Sequence, residues 1–203
     1  MILAALTLYD IKYCDFEAFT NRLPKERLDK INSYKSEASK LESLASGLLL
    51  RFLLAQYGRE DYELSYNKYG KPYIEQGPHF SLTHSKGLVC CAVSDSNIGI
   101  DAEMIFSARD NVARRSFSSD EYDAYSNASD RDSEFYKIWT QKEAYLKYTG
   151  TGLAFPMNRL STLSADIASM MHSMRLHKHW LSVCTKEKCI PTLQHLNFSD
   201  IIT

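Results

Sequence analysis

Two carboxylates stand two residues apart in the segment GIDAE at 99–103. This segment is predicted to be a strand, in which residues i and i+2 project from one face, so Asp101 and Glu103 would lie side by side while Ala102 turns away. Two carboxylates that close repel each other unless one is protonated or a cation lies between them. Hard oxygen donors of this kind suit Mg²⁺, above all where a substrate phosphate completes the octahedron. The alternative is an acidic pair on an edge strand that faces water.

A helix is predicted over residues 132–148, where apolar side chains recur at helical spacing and form one stripe. Lys142 falls inside the stripe, so its ammonium needs an anionic partner or must extend to water. Glu143 lies at the edge of the stripe and shares a helix face with Lys147, four residues later. These two residues are therefore candidates for a functional site, and the alternative is a surface Glu–Lys pair worth a few tenths of a kcal/mol. The stripe itself consists of Phe135, Ile138, Trp139, Tyr145 and Leu146.

A third group of polar side chains lies in the segment FSLTHS at 80–85, which follows a turn at Lys71-Pro72. Hydroxyls, the imidazole of His84 and the ammonium of Lys71 can together hold phosphate oxygens by charge-assisted hydrogen bonds. A single histidine in a strand is also compatible with a purely structural role. No one of the three segments decides between a functional and a structural interpretation.

The elements that must position these residues are predicted from periodicity and turn residues. Strands are predicted over 2–9, 79–85, 88–94, 97–103 and 180–184, and helices over 24–34, 36–57, 107–127 and 132–148. Within the third of these helices, Ser118 and Glu121 fit a capping box. Each half of the chain then has helix followed by strands, without a sequence repeat that links the halves. The predicted class is α+β, in two lobes that meet near residue 100: 1–98 and 99–203.

Composition excludes several classes of protein. With 203 residues, 44% of them hydrophobic and 24% charged, the chain can bury a core as an ordinary globular protein does. A formal net charge of −1 provides no global field for nucleic acid or an anionic membrane, so an anion site must be local. No apolar run approaches the roughly 20 residues of a membrane span, and the N-terminal segment lacks the features of a signal peptide. We therefore expect neither nucleic acid nor a membrane as partner. We also expect a cytoplasmic monomer.

The five cysteines are odd in number and lack CxxC spacing, which argues against a disulfide framework and against a zinc site. Cys90 and Cys91 are neighbours in a predicted strand and must point to opposite faces. We expect these thiols, and those of Cys14, Cys184 and Cys189, to be reduced.

The order and spacing of the motifs are more specific than any single motif. In chain order, YGKP, FSLTHS, GIDAE, WTQKEAYLK and GTGL resemble the 4′-phosphopantetheinyl transferases, in particular the two-lobed Sfp type that serves peptide synthetases and polyketide and fatty-acid synthases. The resemblance runs from about residue 24 to 155, and GIDAE and W-x-x-K-E-A-x-x-K are its most specific parts. About 98 residues precede GIDAE, whereas small trimeric relatives carry it near the N-terminus. The resemblance therefore implies two similar α+β lobes that form a pseudo-dimer, with the active site between them.

The resemblance also implies roles for individual residues. The metal-binding carboxylates of the family correspond to Asp101, Glu103 and Glu143. The catalytic residues beside the pyrophosphate and the attacking serine correspond to Glu143 and Lys147. The contacts to the nucleotide and phosphates of coenzyme A correspond to Lys71, Thr83 and His84.

The chain departs from the family pattern in a few places. Thr83 stands where serine is usual, which keeps the hydroxyl. Ala102 cannot bind a metal, so a third ligand must come from Glu143 or from water. The basic cluster at the start of the resemblance is similar to the family's 3′-phosphate lysines, but its spacing does not align, so these contacts stay open. Its members are Lys25, Arg27 and Lys30.

The activity that the resemblance implies is transfer of the 4′-phosphopantetheine arm of coenzyme A to a serine of an apo acyl or peptidyl carrier protein, with release of 3′,5′-adenosine bisphosphate. Magnesium would be required, and manganese could replace it. The carrier is acidic, and Arg109, Arg114 and Arg115 could meet it, unless they form an ordinary solvated face. Two alternatives stay open: an inactive coenzyme A-binding or carrier-binding module of the same fold, and a metal-dependent phosphohydrolase.

Overall fold

Two β-sheets lie face to face in this protein, and each carries a long helix on its other face. The computed structural model describes the chain over residues 1–9, 11–13, 15, 18–188 and 192–202. Helices and strands are mixed along the sequence, and the sheets are largely antiparallel. The predicted α+β class is therefore confirmed.

The strands form two main sheets and a short hairpin. Their bounds are β1 Ile2–Thr7, β2 Ser65–Tyr66, β3 Pro72–Tyr73, β4 His79–Ser85, β5 Leu88–Ser94, β6 Ile98–Met104, β7 Met171–Leu176, β8 His179–Thr185 and β9 Gln194–Leu196. The first sheet has the order β4-β5-β1-β9 and the second the order β6-β8-β7, while β2 and β3 make the hairpin. The strands predicted from the sequence are present as β1, β4, β5, β6 and β8, whereas β2, β3, β7 and β9 were not predicted.

The helices follow the predicted pattern except over 107–127 and in the C-terminal part of the chain. Their bounds are α1 Lys25–Ser33, α2 Glu37–Gln56, α3 Asp110–Ser116, α4 Ser119–Asn127, α5 Arg131–Thr149, α6 Ala165–Ala168 and α7 Phe198–Ile201. The two short C-terminal helices, α6 and α7, were not predicted. The prediction of one helix over 107–127 is wrong, because Phe117 and Ser118 have extended backbone angles that separate α3 from α4. The break falls at the predicted capping box, where the Glu121 carboxylate accepts the backbone N–H of Ser118 and starts a new helix.

The first sheet packs against α2, which accounts for the apolar character of that helix. Leu44 and Leu48 recur at helical spacing on α2, and each is at most 1% exposed. They share one core with Leu6 of β1 and Val93 of β5. Burying a side chain of this size contributes about 1.5–3 kcal/mol relative to leaving it in water. Even so, no helix in the described part of the chain is long and apolar enough to cross a membrane.

A second core lies between the two sheets and decides which way the acidic strand faces. Leu3 of β1 and Cys90 of β5 pack there together with Ile100 and Ala102 of β6. Because successive side chains alternate between the two faces of a strand, the other residues of β6 must point away from this core, toward α5. The acidic pair of the sequence is therefore directed into the interface between β6 and α5.

The backbones of β6 and α5 approach each other closely at Gly99. A Cβ atom on this residue would overlap the carbonyl oxygen of Ala144 and the backbone nitrogen of Tyr148. Backbone atoms cannot turn aside as the end of a flexible side chain can, so only glycine fits at this position. The glycine of the GIDAE motif therefore sets the distance at which α5 presents its side chains to β6.

The C-terminal tail returns to the first sheet. β9 pairs with β1 in parallel, with His195 opposite Ala5, and Ile201 of α7 is buried in the first core. The division into 1–98 and 99–203 stays a prediction. The structure adds that the tail of the second range pairs with β1 of the first. The similarity of the two lobes, as in a pseudo-dimer, also stays a prediction.

The cysteines that the structure describes are buried free thiols. Cys90 points into the core between the sheets and Cys91 into the core under α2, so the prediction that these neighbours face opposite ways is confirmed. Burial raises the pKa of Cys90 and of Cys184 to about 12, which keeps both thiols protonated and unreactive. Cys14 and Cys189 lie outside the described residues.

Candidate functional site

Asp101 is a buried carboxylate at the centre of the candidate site. Its side chain is 8% exposed, so the alternative of an acidic pair facing water is wrong for this residue. Its Oδ1 atom accepts a hydrogen bond from the hydroxyl of Thr83 at 3.1 Å and one from Nζ of Lys147 at 2.7 Å. Its Oδ2 atom is buried and has no hydrogen-bond partner among the residues that the structure describes. One carboxylate oxygen is therefore left with the capacity to bind a further partner.

Glu143 and Lys147 reach the same place from α5. Lys147 donates to Asp101 and also to the carbonyl oxygen of Leu82, at 3.2 Å. Glu143 is half-buried, and this burial raises its pKa to about 6, with the charge of Asp101 adding to the rise and that of Lys147 opposing it. Lys147 thus takes its ion-pair partner from β6, so the alternative of a surface Glu–Lys pair within the helix is wrong.

Glu103 completes the predicted carboxylate set, two positions beyond Asp101 on β6. Its Oε2 atom accepts a hydrogen bond from the hydroxyl of Ser85 at 2.6 Å. Burial raises the pKa of Glu103, the bond from Ser85 opposes the rise, and the charge of Asp101 adds to it. Like charges thus act on one another at this site, which is the situation that a bound cation relieves.

The chemistry of these carboxylates fits a divalent cation that takes its remaining ligands from a substrate. Within residues 1–9, 11–13, 15, 18–188 and 192–202, no three His, Cys, Asp or Glu side chains are grouped so that they could hold a metal by themselves. Mg²⁺ is usually held by one or two carboxylates together with waters and substrate phosphates, so a closed cage is not required. The buried Oδ2 atom of Asp101 supplies a free anionic donor. The pKa values of Glu103 and Glu143 are raised mainly by burial and in smaller part by the charge of Asp101, and a cation would favour the ionised form of both groups.

A cavity of about 360 Å³ reaches Glu143 and Lys147 and is bounded by α1, β4 and the β2–β3 hairpin. A volume of this size can hold part of a cofactor-sized ligand. The acidic and basic side chains around it are Arg27, Lys30, Lys71, His84, Glu143 and Lys147. Basic groups outnumber the single carboxylate, so the cavity is a local site for an anion in a chain whose net charge is only −1.

Lys71 is held at this cavity by the turn of the hairpin. The side-chain oxygen of Asn67 accepts the backbone N–H of Lys71 at 2.9 Å, and its amide nitrogen donates to the carbonyl oxygen of Gly150 at 2.8 Å. The ammonium of Lys71 donates to the carbonyl oxygen of Ile98 at 3.3 Å. Burial, with a smaller contribution from the charge of Lys147, lowers the pKa of Lys71 to about 8. The ammonium is therefore short of counter-charge and suited to binding an anion.

His84 lines the same cavity and is bonded to the neighbouring helix. Its Nδ1 atom lies 3.0 Å from Oε2 of Glu42 on α2. The Glu42 carboxylate also accepts the backbone N–H of Gly87 at 2.9 Å. His84 therefore has a partner in Glu42, as a purely structural histidine would. It is also exposed at the cavity, where an anion can reach it.

Two basic residues whose role the sequence left open also line the cavity. Arg27 and Lys30 lie three residues apart on α1, and therefore on one face of that helix. Arg27 donates from Nη2 to the carbonyl oxygen of Ser43 at 2.9 Å, while its Nε atom is buried without a partner among the described residues. Lys25 is exposed outside the cavity. The i, i+3 spacing of Arg27 and Lys30 is the signal that could have found this pair.

Thr83 is placed away from the other residues that were predicted to contact coenzyme A. The residue is 5% exposed; its hydroxyl donates to Asp101 and accepts the backbone N–H of Ala102. Lys71 and His84 line the cavity, and Thr83 does not. The structure thus brings Thr83 to the carboxylates and separates it from the basic wall of the cavity.

Lys142 has the anionic partner that its position in the apolar stripe demands. Its Nζ atom lies 2.5 Å from Oε2 of Glu121 on α4, and both side chains are fully buried. It also donates to the carbonyl oxygen of Leu160, while Glu121 accepts the backbone N–H and the hydroxyl of Thr162, each at 2.8 Å. Burial lowers the pKa of Lys142, and the charge of Glu121 opposes this. The prediction of an anionic partner is confirmed, and the pair ties α4 to α5 directly beside Glu143.

Three arginines form an exposed basic surface around α3. They are Arg109, Arg114 and Arg115. The guanidinium of Arg114 lies over the ring of Tyr122, 5.0 Å from its centroid. Arg109 borders a second cavity, which also reaches Glu103 and the exposed ring of Phe106. The basic surface therefore adjoins one of the carboxylates of the site.

Comparison with known proteins shows the family to which this arrangement belongs. Residues 97–192, which include β6 and α5, match the model of the 4′-phosphopantetheinyl transferase superfamily. The chain is 31% identical over 153 residues to the 4′-phosphopantetheinyl transferase Sfp of Bacillus subtilis (strain 168), an alignment that covers 71% of this chain and 68% of that protein. The chain belongs to the 4′-phosphopantetheinyl transferase superfamily.

Further members of the superfamily are similar over comparable lengths. The 4′-phosphopantetheinyl transferase gsp of Aneurinibacillus migulanus is 31% identical over 148 residues, or 70% of this chain and 62% of that protein. The L-aminoadipate-semialdehyde dehydrogenase-phosphopantetheinyl transferase of Saccharomyces cerevisiae is 28% identical over 202 residues, or 87% of this chain and 74% of that protein. The chain thus spans 62% to 74% of the length of these three relatives. The predicted membership of the phosphopantetheinyl transferases is confirmed.

Proposed function

We propose that this phosphopantetheinyl transferase superfamily member transfers the 4′-phosphopantetheine arm of coenzyme A to a serine of an apo acyl or peptidyl carrier protein, and that it releases 3′,5′-adenosine bisphosphate. The observation that carries the proposal is the meeting of a basic cavity with a set of carboxylates across β6 and α5. The basic wall suits the phosphates of a nucleotide, and the carboxylates suit a divalent cation and a general base.

The phosphates of coenzyme A are proposed to bind the basic side chains of the cavity. Lys71 and His84 face it from the hairpin and β4, and Arg27 and Lys30 face it from α1. The buried Nε atom of Arg27 is a donor that a ligand oxygen could satisfy. A hydrogen bond to a charged group contributes about 1.5–3 kcal/mol, so a few such contacts account for firm binding.

A magnesium ion is proposed to bind Asp101, Glu103 and Glu143, and manganese can replace it. Ala102 cannot bind a metal, so Glu143 of α5 would supply the third protein ligand, and waters and phosphate oxygens would supply the remaining ligands. When bound, the ion neutralises charge on the pyrophosphate and on the leaving group. The unpartnered Oδ2 atom of Asp101 supports this assignment.

The side chains of α5 are proposed to handle the proton and the leaving group. The serine hydroxyl attacks the phosphorus that bears the pantetheine arm, and the bond from this phosphorus to the bridging pyrophosphate oxygen breaks. Glu143, with a pKa of about 6, is ionised at neutral pH and accepts the serine proton, directly or through a water. Lys147 stabilises the negative charge that develops on the departing 3′,5′-adenosine bisphosphate.

The carrier protein is proposed to dock at the exposed arginines around α3. An acidic partner is attracted there by charge, which favours a fast and oriented encounter. The same surface continues to Phe106 and Glu103, so a docked carrier would bring its serine close to the carboxylates. We further propose a cytoplasmic monomer without nucleic-acid or membrane partners.

Incubation with coenzyme A, magnesium and an apo carrier protein is expected to add one phosphopantetheinyl group to the carrier, because the proposed site combines a basic cavity with a carboxylate suited to act as general base. Mass spectrometry of the intact carrier measures the transfer. An excess of chelator is expected to abolish it, and magnesium or manganese to restore it. A panel of apo carriers from primary and specialised pathways shows which carrier is served.

Three other outcomes would contradict parts of this proposal. Binding of coenzyme A without transfer to any carrier would indicate an inactive binding module. Cleavage of coenzyme A without an acceptor would indicate a phosphohydrolase. Full transfer in the presence of chelator would remove the metal from the mechanism.

Binding of coenzyme A is expected to take up a proton through Lys71 at pH values above 8, where this group is largely neutral in the free protein. A bound phosphate favours the charged form and raises the pKa again, so binding draws a proton from solution. Near pH 7 the group is already charged, and the uptake through Lys71 falls toward zero. Calorimetry in two buffers with different ionisation enthalpies measures the number of protons.

Two lysine variants of the hairpin test this assignment. Lys71→Met is expected to remove the proton uptake and to weaken coenzyme A binding by roughly 1.5–3 kcal/mol, with a smaller dependence on salt. Lys68→Met is the control, because Lys68 lies over the ring of Tyr69 on the same hairpin, 4.9 Å from its centroid. An unchanged affinity of Lys71→Met would show that Lys71 merely closes a turn.

A further inference from the structure

Along one edge of β6, side-chain hydroxyls, and not the backbone of another strand, accept the hydrogen bonds of the backbone N–H groups. Along its other edge, β6 forms an antiparallel ladder with β8. On the edge that faces β4, its backbone N–H groups donate to alternate residues of β4: Ile100 to Ser81 at 3.0 Å, Ala102 to Thr83 at 3.1 Å and Met104 to Ser85 at 3.2 Å. The two sheets are thus joined, next to the carboxylates, by a row of hydroxyls that takes the place of a neighbouring backbone.

Two of these hydroxyls also hold the carboxylates of the proposed metal site. Thr83 lies 3.1 Å from Oδ1 of Asp101, and Ser85 lies 2.6 Å from Oε2 of Glu103. A hydroxyl has one proton to donate and two lone pairs that can accept. Each of the two therefore accepts a backbone N–H of β6 and gives its only proton to a carboxylate.

This use of the proton is incompatible with a hydroxyl bond to a phosphate. A phosphate oxygen is an acceptor, so Thr83 could bind it only by releasing Asp101. Thr83 is also 5% exposed and lies outside the side chains that line the cavity. At Asp101, the bonds from Thr83 and Lys147 both fall on Oδ1, so Oδ2 is the oxygen that stays available.

We propose that Thr83 and Ser85 are positioning residues, which orient Asp101 and Glu103 toward a divalent cation, and that Thr83 makes no hydroxyl contact to coenzyme A. This inference rests on the metal assignment of the proposed function. Groups that orient metal-binding side chains in this way typically change metal affinity by about 10–100-fold when they are lost. In this way β4 of the first sheet sets the cation affinity of carboxylates that belong to β6 and the second sheet.

The test is the affinity for Mn²⁺, measured by calorimetry and by electron paramagnetic resonance in the presence of coenzyme A and without a carrier. Thr83→Val and Ser85→Ala are each expected to weaken Mn²⁺ binding by about 10–100-fold. Thr83→Ser, which restores the hydroxyl, is expected to bind Mn²⁺ as the wild-type protein does. With chelator present, Thr83→Val is expected to bind coenzyme A with unchanged affinity.

Ser94→Ala is the matched control for loss of a buried hydroxyl. Ser94 of β5 donates to the carboxylate of Glu187 at 2.5 Å and accepts the backbone N–H of Ser96, so it makes the same pair of bonds away from the site. Its replacement is expected to leave Mn²⁺ affinity unchanged. The thermal midpoints of all variants show whether each is folded. If Thr83→Val proves unstable, Ser85→Ala still tests the inference at Glu103.

The outcomes separate this inference from the proposed function. Wild-type Mn²⁺ affinity in Thr83→Val and Ser85→Ala would overturn the inference alone. A loss of coenzyme A affinity in chelator for Thr83→Val would show that the hydroxyl contacts the nucleotide and would overturn it as well. Absence of Mn²⁺ binding by the wild-type protein would overturn the metal assignment and the inference with it, and normal Mn²⁺ binding without transfer to any carrier would overturn only the transferase activity.

Discussion

Turnover of the Glu143→Gln variant is expected to fall by at least about 100-fold, the low end for loss of a general base. Glutamine keeps the shape of the side chain, but it cannot take the serine proton and it lacks the charge that attracts a cation. Burial and the charge of Asp101 raise the pKa of Glu143, so its ionised form is disfavoured in the folded protein. The thermal midpoint should therefore stay the same or rise while the rate falls. Turnover at saturating coenzyme A and magnesium, and the midpoint of the same preparation, measure both.

Two further variants of α5 distinguish this role from a structural one. Lys147→Ala is expected to slow turnover without weakening metal affinity, because the ion pair of Lys147 with Asp101 competes with a cation for that carboxylate. Glu134→Gln removes a partly exposed ion pair on the same helix and is expected to keep the rate. Near-normal turnover of Glu143→Gln would remove this residue from the mechanism and leave Asp101 and Glu103 to hold the ion with water.

The Lys142→Met variant is expected to lose about 3–5 kcal/mol of the free energy of unfolding, the usual cost of removing one partner of a buried ion pair. Methionine fills a similar space but leaves the carboxylate of Glu121 fully buried and without its counter-charge. Turnover should fall as well, because the pair anchors α5 one residue before Glu143. Urea denaturation with linear extrapolation measures the loss of stability.

A double variant tests whether the buried charge is the cause. Lys142→Met with Glu121→Gln is expected to be more stable than Lys142→Met alone, because the amide carries no charge and its oxygen can still accept the N–H of Thr162. Lys137→Met is the control on α5, since its ion pair is partly exposed and should contribute no more than about 1 kcal/mol. A loss in Lys142→Met no larger than in Lys137→Met would show that the buried pair is not a source of stability.

Local patterns in the sequence were enough to place several candidate residues on the correct face of their strand or helix. A period of two residues placed Asp101 and Glu103 on one strand face, and helical spacing placed Lys142 in an apolar stripe. The same kind of signal predicted the capping box of Ser118 and Glu121, which the structure confirms. These patterns are readable because they follow from backbone geometry over a few residues. They fail for β7, whose mostly half-buried residues lack a clear alternation between apolar and polar side chains.

The family, the α+β class and the candidate carboxylates could thus be predicted from the sequence alone. The packed fold was needed to show which groups meet: Thr83 with Asp101, Arg27 and Lys30 with the cavity, and Lys142 with Glu121. Periodicity tells which face of an element a residue occupies, but it does not tell which element lies opposite. That choice depends on how the two sheets stack and on how closely α5 approaches β6 at Gly99, and both are properties of the whole packed core.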